Sequence, residues 1–446
     1  MSTVHRQFRG DYLAAALDHA LTSVPPMEAR GRVLDAVGTL VKATGLAARV
    51  GDLCELRNPG NNWCLRAEVI GVSRQATLLL PFGDLDGISS QTEVVNLGHT
   101  QSVAVGPALL GRILNGFGEP IDGLAPLAGA VEYPVRTEAP NALTRKPVSR
   151  CLQTGVRAID GLLTCGEGQR VGIFAPAGAG KSSLLSMIAR GTSADVTVVG
   201  LIGERGREVG EFIQALRNSD SARKCVFIVA TSDRPAVERA KAANVATAVA
   251  EYFRDQGLSV LLLVDSVTRY ARALREIGLA AGEPPTRRGY PPSTFTALPR
   301  LFERAGQAAT GAITAFYTVL VDDDEGGDPI GEEVRATLDG HVVLSNKLAG
   351  AGHYPAVDVL ASRSRVMRQI ADQAHRELAA DVGNQLTRYD SIQMLVQVGE
   401  YRSGADEEAD RALRCRDALM RFLRQDLFEQ STLPETIFQM REALDG

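Results

Sequence analysis

Short runs that are almost wholly apolar alternate with longer stretches of mixed polarity through the middle of the chain. The apolar runs occupy residues 170–174, 196–202, 224–230, 260–264 and 312–321. Such runs are typical of strands that are covered on both faces, and the stretches between them have the spacing of helices. The pattern therefore predicts an α/β fold in which helices cover both faces of a parallel sheet.

The sequence before this region has a different pattern. Between about residues 28 and 100, short β-like runs are separated by Gly, Asn and Pro, and no long helix is indicated. These runs lie at residues 33–41, 52–56, 64–70 and 76–80. Closely spaced strands without helices predict a small β-barrel, which we assign to residues 27–100.

The last part of the chain has helical patterns and no strands. In residues 406–428, apolar side chains recur among charged ones at helical spacing, and residues 368–400 have a similar pattern. We therefore predict a C-terminal helical domain over residues 368–446, which leaves residues 101–367 for the α/β domain.

The N-terminus carries a short amphipathic segment ahead of the barrel. Phe8, Tyr12, Leu13 and other apolar residues up to Leu21 lie close to helical spacing, and the Pro25-Pro26 pair ends the pattern. Residues 1–26 are therefore either a docking segment for a partner or a helix that packs on its own barrel. The sequence leaves both interpretations open.

Composition excludes several classes of protein. The chain has 446 residues, which is room for two or three domains, and its net charge of −5 provides no basic field for nucleic acid or anionic membranes. Its six cysteines form no Cys-x-x-Cys pair, which argues against a zinc site or a disulfide framework. No apolar run reaches the ~20 residues of a membrane span, and the N-terminus does not resemble a signal peptide. We therefore expect a cytoplasmic protein.

A glycine-rich segment follows the first apolar run of the α/β region. The order of strand, glycine-rich turn, Gly180-Lys181-Ser182 and helix is the setting of a phosphate-binding P-loop. In that role Lys181 contacts the β- and γ-phosphates and Ser182 binds Mg²⁺. The predicted nucleotide-binding residues here are Ala177, Gly178, Ala179, Gly180, Lys181, Ser182 and Ser183. Because Ala175 stands where the motif usually has its first glycine, an ordinary strand–turn–helix remains an alternative.

Two further apolar runs are followed by carboxylates. Asp265 ends one run, and ligands bind beyond the carboxyl ends of strands in an open α/β sheet, so Asp265 is a candidate Mg²⁺ ligand. The alternative is a helix N-cap ahead of Ser266. Glu204 and Glu208 follow another run, where either could polarise a water while Arg205 balances phosphate charge. A solvated loop of alternating charges is the alternative there.

Five segments together resemble the catalytic subunits of rotary ATPases and, more closely, the type III secretion ATPases. They are residues 174–183, 203–209 (GERGREV), 264–288, 289–306 and 352–367. The likeness extends over about residues 28–430. It implies a RecA-like P-loop core with an N-terminal β-barrel and a C-terminal helical domain.

The resemblance also implies roles for individual residues. Lys181 and Ser182 match the phosphate and Mg²⁺ ligands, and Asp265 matches the Walker B carboxylate. The likeness further implies that Glu204 is the catalytic carboxylate with Arg205 beside it, that Tyr354 stacks on adenine, and that Arg365 is an arginine finger offered to the neighbouring subunit. Without the resemblance, Tyr354 would be assigned to core packing and Arg365 to a surface salt bridge.

In functional terms, the resemblance implies a homohexameric ATPase that uses ATP and Mg²⁺ to release chaperones from export substrates and help unfold them. It further implies a stator-like regulator at the N-terminal segment, a coiled-coil central stalk, chaperone–effector complexes at the C-terminal domain and peripheral attachment to a membrane export apparatus. Residues 282–289 favour the injectisome branch over the flagellar export ATPases. A Rho-type RNA translocase and a nucleotide-binding homologue without activity are the alternatives from other classes.

Overall fold

The computed structural model describes residues 30–217, 219–321, 327–404 and 406–445. The predicted N-terminal segment, residues 1–26, lies outside the described residues. The chain divides into two compact units, one ending at Gln101 and the other beginning at Ser102.

The first unit is a closed antiparallel barrel of six strands. They are β1 (Arg30–Val37), β2 (Leu40–Thr44), β3 (Asp52–Arg57), β4 (Cys64–Val72), β5 (Thr77–Pro81) and β6 (Glu93–Thr100), in the order β1-β2-β5-β4-β3-β6. Alternate side chains, including Val41, Leu56 and Leu79, fill its interior. The predicted barrel is confirmed, but the run predicted as one strand at 33–41 is two, because Gly38 adopts a left-handed φ of 65° and turns the chain.

The second unit is built on a nine-stranded sheet. Its strands and the two small ribbons beside it are β7 (Ser102–Val105), β8 (Ile113–Asn115), β9 (Val131–Pro134), β10 (Cys151–Leu152), β11 (Cys165–Gly166), β12 (Arg170–Ala175), β13 (Val196–Ile202), β14 (Cys225–Ala230), β15 (Ser259–Asp265), β16 (Gly306–Gln307), β17 (Ala312–Leu320), β18 (Gly340–Leu344) and β19 (Val357–Ser364). The sheet order is β19-β18-β12-β17-β15-β13-β14-β8, and β16 pairs with β17. Neighbours from β18 to β8 are parallel, whereas β19 is antiparallel to β18.

The five apolar runs of the sequence are β12, β13, β14, β15 and β17, each with ends that agree within one residue. Their side chains alternate between two hydrophobic clusters, one on each face of the sheet. Val260 and Leu262 of β15 belong to one cluster, and Leu261 and Leu263 belong to the other. Burial on both faces explains why these strands are apolar at consecutive positions.

The helices of this unit are α1 (Arg157–Leu162), α2 (Lys181–Gly191), α3 (Gly206–Arg217), α4 (Ala236–Asp255), α5 (Val267–Ala280), α6 (Pro292–Arg304), α7 (Pro329–Thr337), α8 (Asn346–Gly350), α9 (Met367–Ile370), α10 (Gln373–Gln397), α11 (Glu407–Leu423) and α12 (Leu433–Asp445). The last three form the predicted helical region and share one hydrophobic cluster with α1 and α2. Among the residues that the structure describes, no helix is both long and apolar enough to cross a membrane.

One helix end differs from its prediction for a tertiary reason. The predicted helix over 406–428 ends at Leu423, and the backbone of Arg424 is extended. The buried guanidinium of Arg157 on α1 donates to the carbonyls of Phe422, in the last turn of the helix, and of Arg424, just beyond it, so these carbonyls are bonded to α1 rather than to a continuing helix. Residues 424–429, which we call the strap, lie in the non-helical connection to α12 and include a turn at residues 427–428.

Candidate active site

The glycine-rich segment forms a tight turn between β12 and α2. Gly178 and Gly180 have φ values of 82° and 85°, a left-handed conformation that favours glycine. Gly180 precedes the first residue of α2, and no side chain caps that helix end. The first amides of α2 are therefore directed at the carboxyl edge of the sheet, which is the arrangement that binds phosphate.

Ala175, the departure from the usual motif, is compatible with this turn. It is the last residue of β12, it is buried, and its carbonyl accepts the Val321 N–H at 3.1 Å. The extended backbone of a strand needs none of glycine's freedom. An alanine at this position therefore leaves the geometry of the phosphate loop unchanged.

Lys181 holds two buried carboxylates at the carboxyl edge of the sheet. Its Nζ lies 2.9 Å from Glu204 Oε1 and 2.5 Å from Asp265 Oδ1. Glu204 is 5% exposed and Asp265 is 2% exposed. The sheet order explains the meeting, because β13 and β15 are parallel neighbours and their carboxyl ends lie side by side. Ser266, and not Asp265, caps α5 by accepting the Arg269 N–H.

The electrostatics of this cluster follow from burial and close charges. Burial works against the charged form of Lys181, but the carboxylates of Asp265 and Glu204 outweigh it and raise the pKa of the ammonium. Burial also raises the pKa of Glu204, as does the negative charge of Asp265, and Lys181 only partly offsets them. Glu204 therefore takes up a proton more readily than an exposed glutamate does, as a general base requires.

Ser182 and Asp265 supply the kind of oxygen ligands that suit Mg²⁺. Ser182 is the second residue of α2 and is exposed, as are Ala177, Gly178 and Ser183, whereas Ala179 is buried. Within the described ranges, no group of three or more His, Cys, Asp or Glu side chains could hold a metal by itself. These residues fit Mg²⁺, which proteins commonly bind through one or two side chains together with substrate phosphates and water.

Arg205 lies outside the Lys181 cluster. Its side chain is exposed and its Nη1 donates to Glu208 Oε1 at 3.0 Å. Glu208 is on the first turn of α3, so this is a surface ion pair at the N-terminus of that helix. The structure brings Lys181, Glu204 and Asp265 together, and it directs Arg205 towards solvent.

Tyr354 lies beside the phosphate loop. It is 45% exposed, and a Cβ placed on Gly180 would be only 3.2 Å from its Cε1. The half-exposed ring therefore borders the loop and offers a surface on which a base could stack.

The strap is hydrogen-bonded to His353 and Tyr354. The Gln425 N–H donates to the Tyr354 carbonyl at 2.9 Å, and Arg424 Nε donates to His353 Nδ1 at 3.3 Å. The Gln425 amide also accepts the Arg157 N–H at 2.9 Å and donates to the Gly155 carbonyl at 2.7 Å. The backbone of Tyr354 is thus bonded directly to the C-terminal helical region.

Arg365 lies at the opposite edge of the sheet from Lys181. It follows β19, whose Ser364 pairs with Gly340 at the start of β18. Because β18 is parallel to β12, this is the amino edge, whereas the phosphate loop follows the carboxyl end of β12. Arg365 is exposed, and its Nη2 donates to the Arg335 carbonyl at 3.2 Å. Its guanidinium therefore does not contact the Lys181 cluster of its own subunit.

Three parts of the chain match known protein families. Residues 155–364 match the nucleotide-binding domain of the ATP synthase alpha/beta family, and residues 33–98 match the β-barrel domain of that family. Residues 371–442 match the C-terminal domain of the type III secretion system ATPase EscN.

The curated relatives show the family to which the chain belongs. A type 3 secretion system ATPase of Xanthomonas euvesicatoria is 52% identical over 433 residues, which cover 97% of this chain and 98% of that protein. This chain belongs to the type III secretion ATPase family. The flagellum-specific ATP synthase of Bacillus subtilis is 45% identical over 408 residues, 91% of this chain and 93% of that protein. The flagellar enzymes are thus relatives of this type III secretion ATPase.

Solved structures agree with the predicted architecture. The assembled ATPase EscN of the enteropathogenic E. coli type III secretion system has a TM-score of 0.88 and 45% identity, covering 93% of this chain and all of that one. The same ATPase in complex with its central stalk EscO has a TM-score of 0.86, with the same identity and coverage. The predicted fold class of β-barrel, α/β nucleotide-binding core and helical region is confirmed.

Two polar residues of this type III secretion ATPase complete the cluster and were missed by sequence reasoning. Arg269 Nη2 donates to Glu204 Oε2 at 3.2 Å, and Thr318 Oγ1 donates to Asp265 Oδ1 at 2.7 Å. Arg269 is on the first turn of α5, the helix that begins directly after Asp265 and Ser266. Its proximity to a strand end was a usable signal. Thr318 is a polar residue within the apolar strand β17, which is the corresponding signal there.

Proposed function

We propose that this type III secretion ATPase hydrolyses ATP to ADP and phosphate at sites shared between adjacent subunits of a homohexamer, and that hydrolysis energises protein export. The observation that carries the proposal is that the residues of the proposed active site lie at two opposite edges of the sheet. Lys181, Glu204 and Asp265 meet at the carboxyl edge of the sheet, and Arg365 is exposed at the amino edge. A ring of subunits can bring the two edges of neighbouring chains together.

Each residue of the carboxyl edge has a role in this reaction. The first amides of α2 and the Lys181 ammonium bind the β- and γ-phosphates, and Tyr354 stacks on adenine. A water molecule attacks the γ-phosphorus while the bond to the bridging oxygen of ADP breaks. Glu204 orients that water and accepts its proton, and Arg269 holds the second oxygen of Glu204 in place.

Magnesium and the arginine finger contribute charge compensation. Ser182 and Asp265 would hold Mg²⁺, which supplies positive charge to the β- and γ-phosphate oxygens when it is bound. Arg365 of one subunit compensates the charge that develops on the γ-phosphate oxygens in the site of its neighbour. Arg205, which is exposed beside the site, would approach the phosphates only after leaving Glu208.

Replacing Glu204 with glutamine tests the general base. The amide keeps the shape of the side chain and loses the proton acceptor, so we expect turnover to fall by about 10²- to 10⁴-fold while Mg-ATP binding persists. Because the pKa of Glu204 is raised, the acid limb of the wild-type rate profile should lie above the usual pKa of a glutamate. Steady-state phosphate release across pH measures both effects.

Glu208→Gln is the matched control for that experiment. Glu208 is on the same segment and pairs with the exposed Arg205, and a side-chain hydrogen bond also joins it to Glu204. Because it does not contact Lys181, its loss should lower turnover much less than the loss of the Glu204 carboxylate. A dead Glu208→Gln variant together with an active Glu204→Gln variant would show that the other glutamate is the base.

The cellular role follows from the family and from one sequence segment. Residues 282–289 and the higher identity to the Xanthomonas protein support the injectisome branch. In this role hydrolysis releases chaperones from export substrates and helps to unfold them, with chaperone–effector complexes at α10 to α12 and a coiled-coil stalk in the ring. Restoring secretion to an ATPase-deleted injectisome strain, but not motility to a flagellar one, is the expected result.

Deleting residues 1–24 tests the N-terminal segment. We expect a chain that still hydrolyses ATP but no longer co-purifies with a stator-like regulator, because the amphipathic residues 8–21 precede the barrel and are set apart by Pro25-Pro26. Pull-down of the regulator by full-length and truncated chains measures the difference. Equal recovery by both chains would assign residues 8–21 to packing on the barrel.

A further inference from the structure

A buried glutamine at the amino edge of the sheet joins three segments of the chain. Gln169 lies between β11 and β12 and is 1% exposed. Its Oε1 accepts the Gly166 N–H at 2.9 Å, and its Nε2 donates to the Asp339 carbonyl at 3.0 Å and to Ser364 Oγ at 3.3 Å. The amide therefore bonds the turn before β12, the residue before β18 and the last residue of β19.

The two groups that Gln169 holds are those that fix the backbone of Arg365. Ser364 immediately precedes Arg365, and the Asp339 carbonyl accepts the Arg365 N–H at 3.1 Å. Ser364 Oγ also donates to the Thr164 carbonyl at 2.9 Å and accepts the Met367 N–H at 3.3 Å. The position from which the Arg365 side chain projects is thus set by one buried hydrogen-bond network.

This network has little room to adjust. A Cβ on Gly340 would lie 2.7 Å from the Arg363 carbonyl and 3.1 Å from Gln169 Nε2. The Asp339 carboxylate is in turn held by Arg170, whose Nε donates to it at 2.9 Å. The Arg365 side chain itself is exposed, so its placement depends on this backbone anchor and on its hydrogen bond to the Arg335 carbonyl rather than on burial.

We propose that Gln169 is a positioning residue for Arg365 and, through it, for hydrolysis in the site of the adjacent subunit. The inference rests on the proposed role of Arg365 as a finger supplied to a neighbour. It predicts a directional effect, in which losing the Gln169 amide leaves the subunit's own nucleotide site intact and impairs the next one. A residue that only stabilised the fold would impair its own subunit.

Gln169→Leu is the test variant, since leucine keeps an apolar volume in the buried site and cannot donate to Asp339 or Ser364. We expect turnover in assembled rings to fall about 10- to 100-fold, the effect of misplacing a catalytic group by about 1 Å, with ATP affinity within about twofold of wild type. Gln307→Leu is the matched control. The Gln307 amide donates to the Glu167 carbonyl of the same turn, so its loss should leave turnover near wild type.

Mixing with Lys181→Ala subunits before assembly reads out the direction of the effect. A Gln169→Leu subunit then offers an intact site to the intact Arg365 of a Lys181→Ala subunit. About a quarter of the interfaces in randomly mixed rings have this composition, so activity should rise well above that of either variant alone. Ser364→Ala removes one arm of the network with a smaller change to the core, and it should show the same loss and the same recovery if Gln169→Leu does not fold.

A mixture of Arg365→Ala and Lys181→Ala subunits tests the shared site separately from the positioning role of Gln169. If that mixture gains no activity, the shared site itself is wrong. If it gains activity while neither Gln169→Leu nor Ser364→Ala can be rescued, or while both retain wild-type turnover, the positioning role of Gln169 is wrong.

Discussion

Replacing Lys181 with alanine will lower the rate of ATP hydrolysis by about 100- to 1,000-fold and will stop secretion. The ammonium is the cation at the mouth of the phosphate loop, and it lies within hydrogen-bond distance of both Glu204 and Asp265. Its loss removes charge compensation for the γ-phosphate and also removes one hydrogen-bond donor from each of the two carboxylates. Phosphate release by the purified ring and substrate export in cells measure the two effects.

The fold should survive this substitution. Arg269 still pairs with Glu204, and Thr318 still donates to Asp265, so neither buried carboxylate is left without a partner. Lys224→Ala is the matched control, because that partly buried ammonium donates to the Thr192 and Ala194 carbonyls and is not part of the Glu204 and Asp265 cluster. A Lys181→Ala variant with wild-type turnover would remove the phosphate loop from the mechanism.

The stability cost of Lys181→Ala will depend on pH with a defined sign. Lys181 lowers the pKa of Glu204, so its loss raises that pKa further above the unfolded value of about 4.3. A carboxyl whose folded pKa is raised destabilises the fold most when it is ionised. The melting-temperature deficit of the variant should therefore be largest near pH 8 and should shrink as the pH falls towards about 4.3.

Much of the core was accessible from sequence because its physics is local. Strands that are buried on both faces are apolar at consecutive positions, so β12 to β15 and β17 could be located within one residue. The turn at Gly38 and the end of α11 at Leu423 depend on a single backbone conformation and on a partner far away in sequence. Such features cannot be read from the periodicity of one segment.

The same distinction applies to the site. Lys181, Glu204 and Asp265 each lie at or beyond the carboxyl end of a recognisable strand, and the parallel sheet necessarily brings such positions to one edge. Arg269 and Thr318 join them only through side-chain directions that the strand pattern does not specify. The edge that carries Arg365 depends on the antiparallel addition of β19, and the sequence gives no local sign of that reversal.

Replacing Arg365 with alanine should leave ATP binding nearly normal and remove most of the activity that depends on assembly. An arginine supplied in trans typically adds ~10³ to 10⁵ in rate, because it neutralises charge that builds on the γ-phosphate oxygens. Wild-type turnover per chain should rise with protein concentration as rings form, and the Arg365→Ala variant should lose that rise. Specific activity measured alongside sedimentation separates lost chemistry from lost assembly.

Mixing Arg365→Ala with Lys181→Ala should restore hydrolysis, because some interfaces then combine an intact Lys181 with an intact Arg365. Arg363→Ala is the control two residues earlier. Arg363 is in β19, where it pairs with His341 of β18, and it should tolerate alanine far better. Arg365 is exposed at the amino edge and does not contact the Lys181 cluster of its own subunit, so recovery in the mixture can come only from a neighbouring subunit. Specific activity that stays flat with concentration, together with no recovery in the mixture, would place Arg365 in a surface contact and contradict a site shared between subunits.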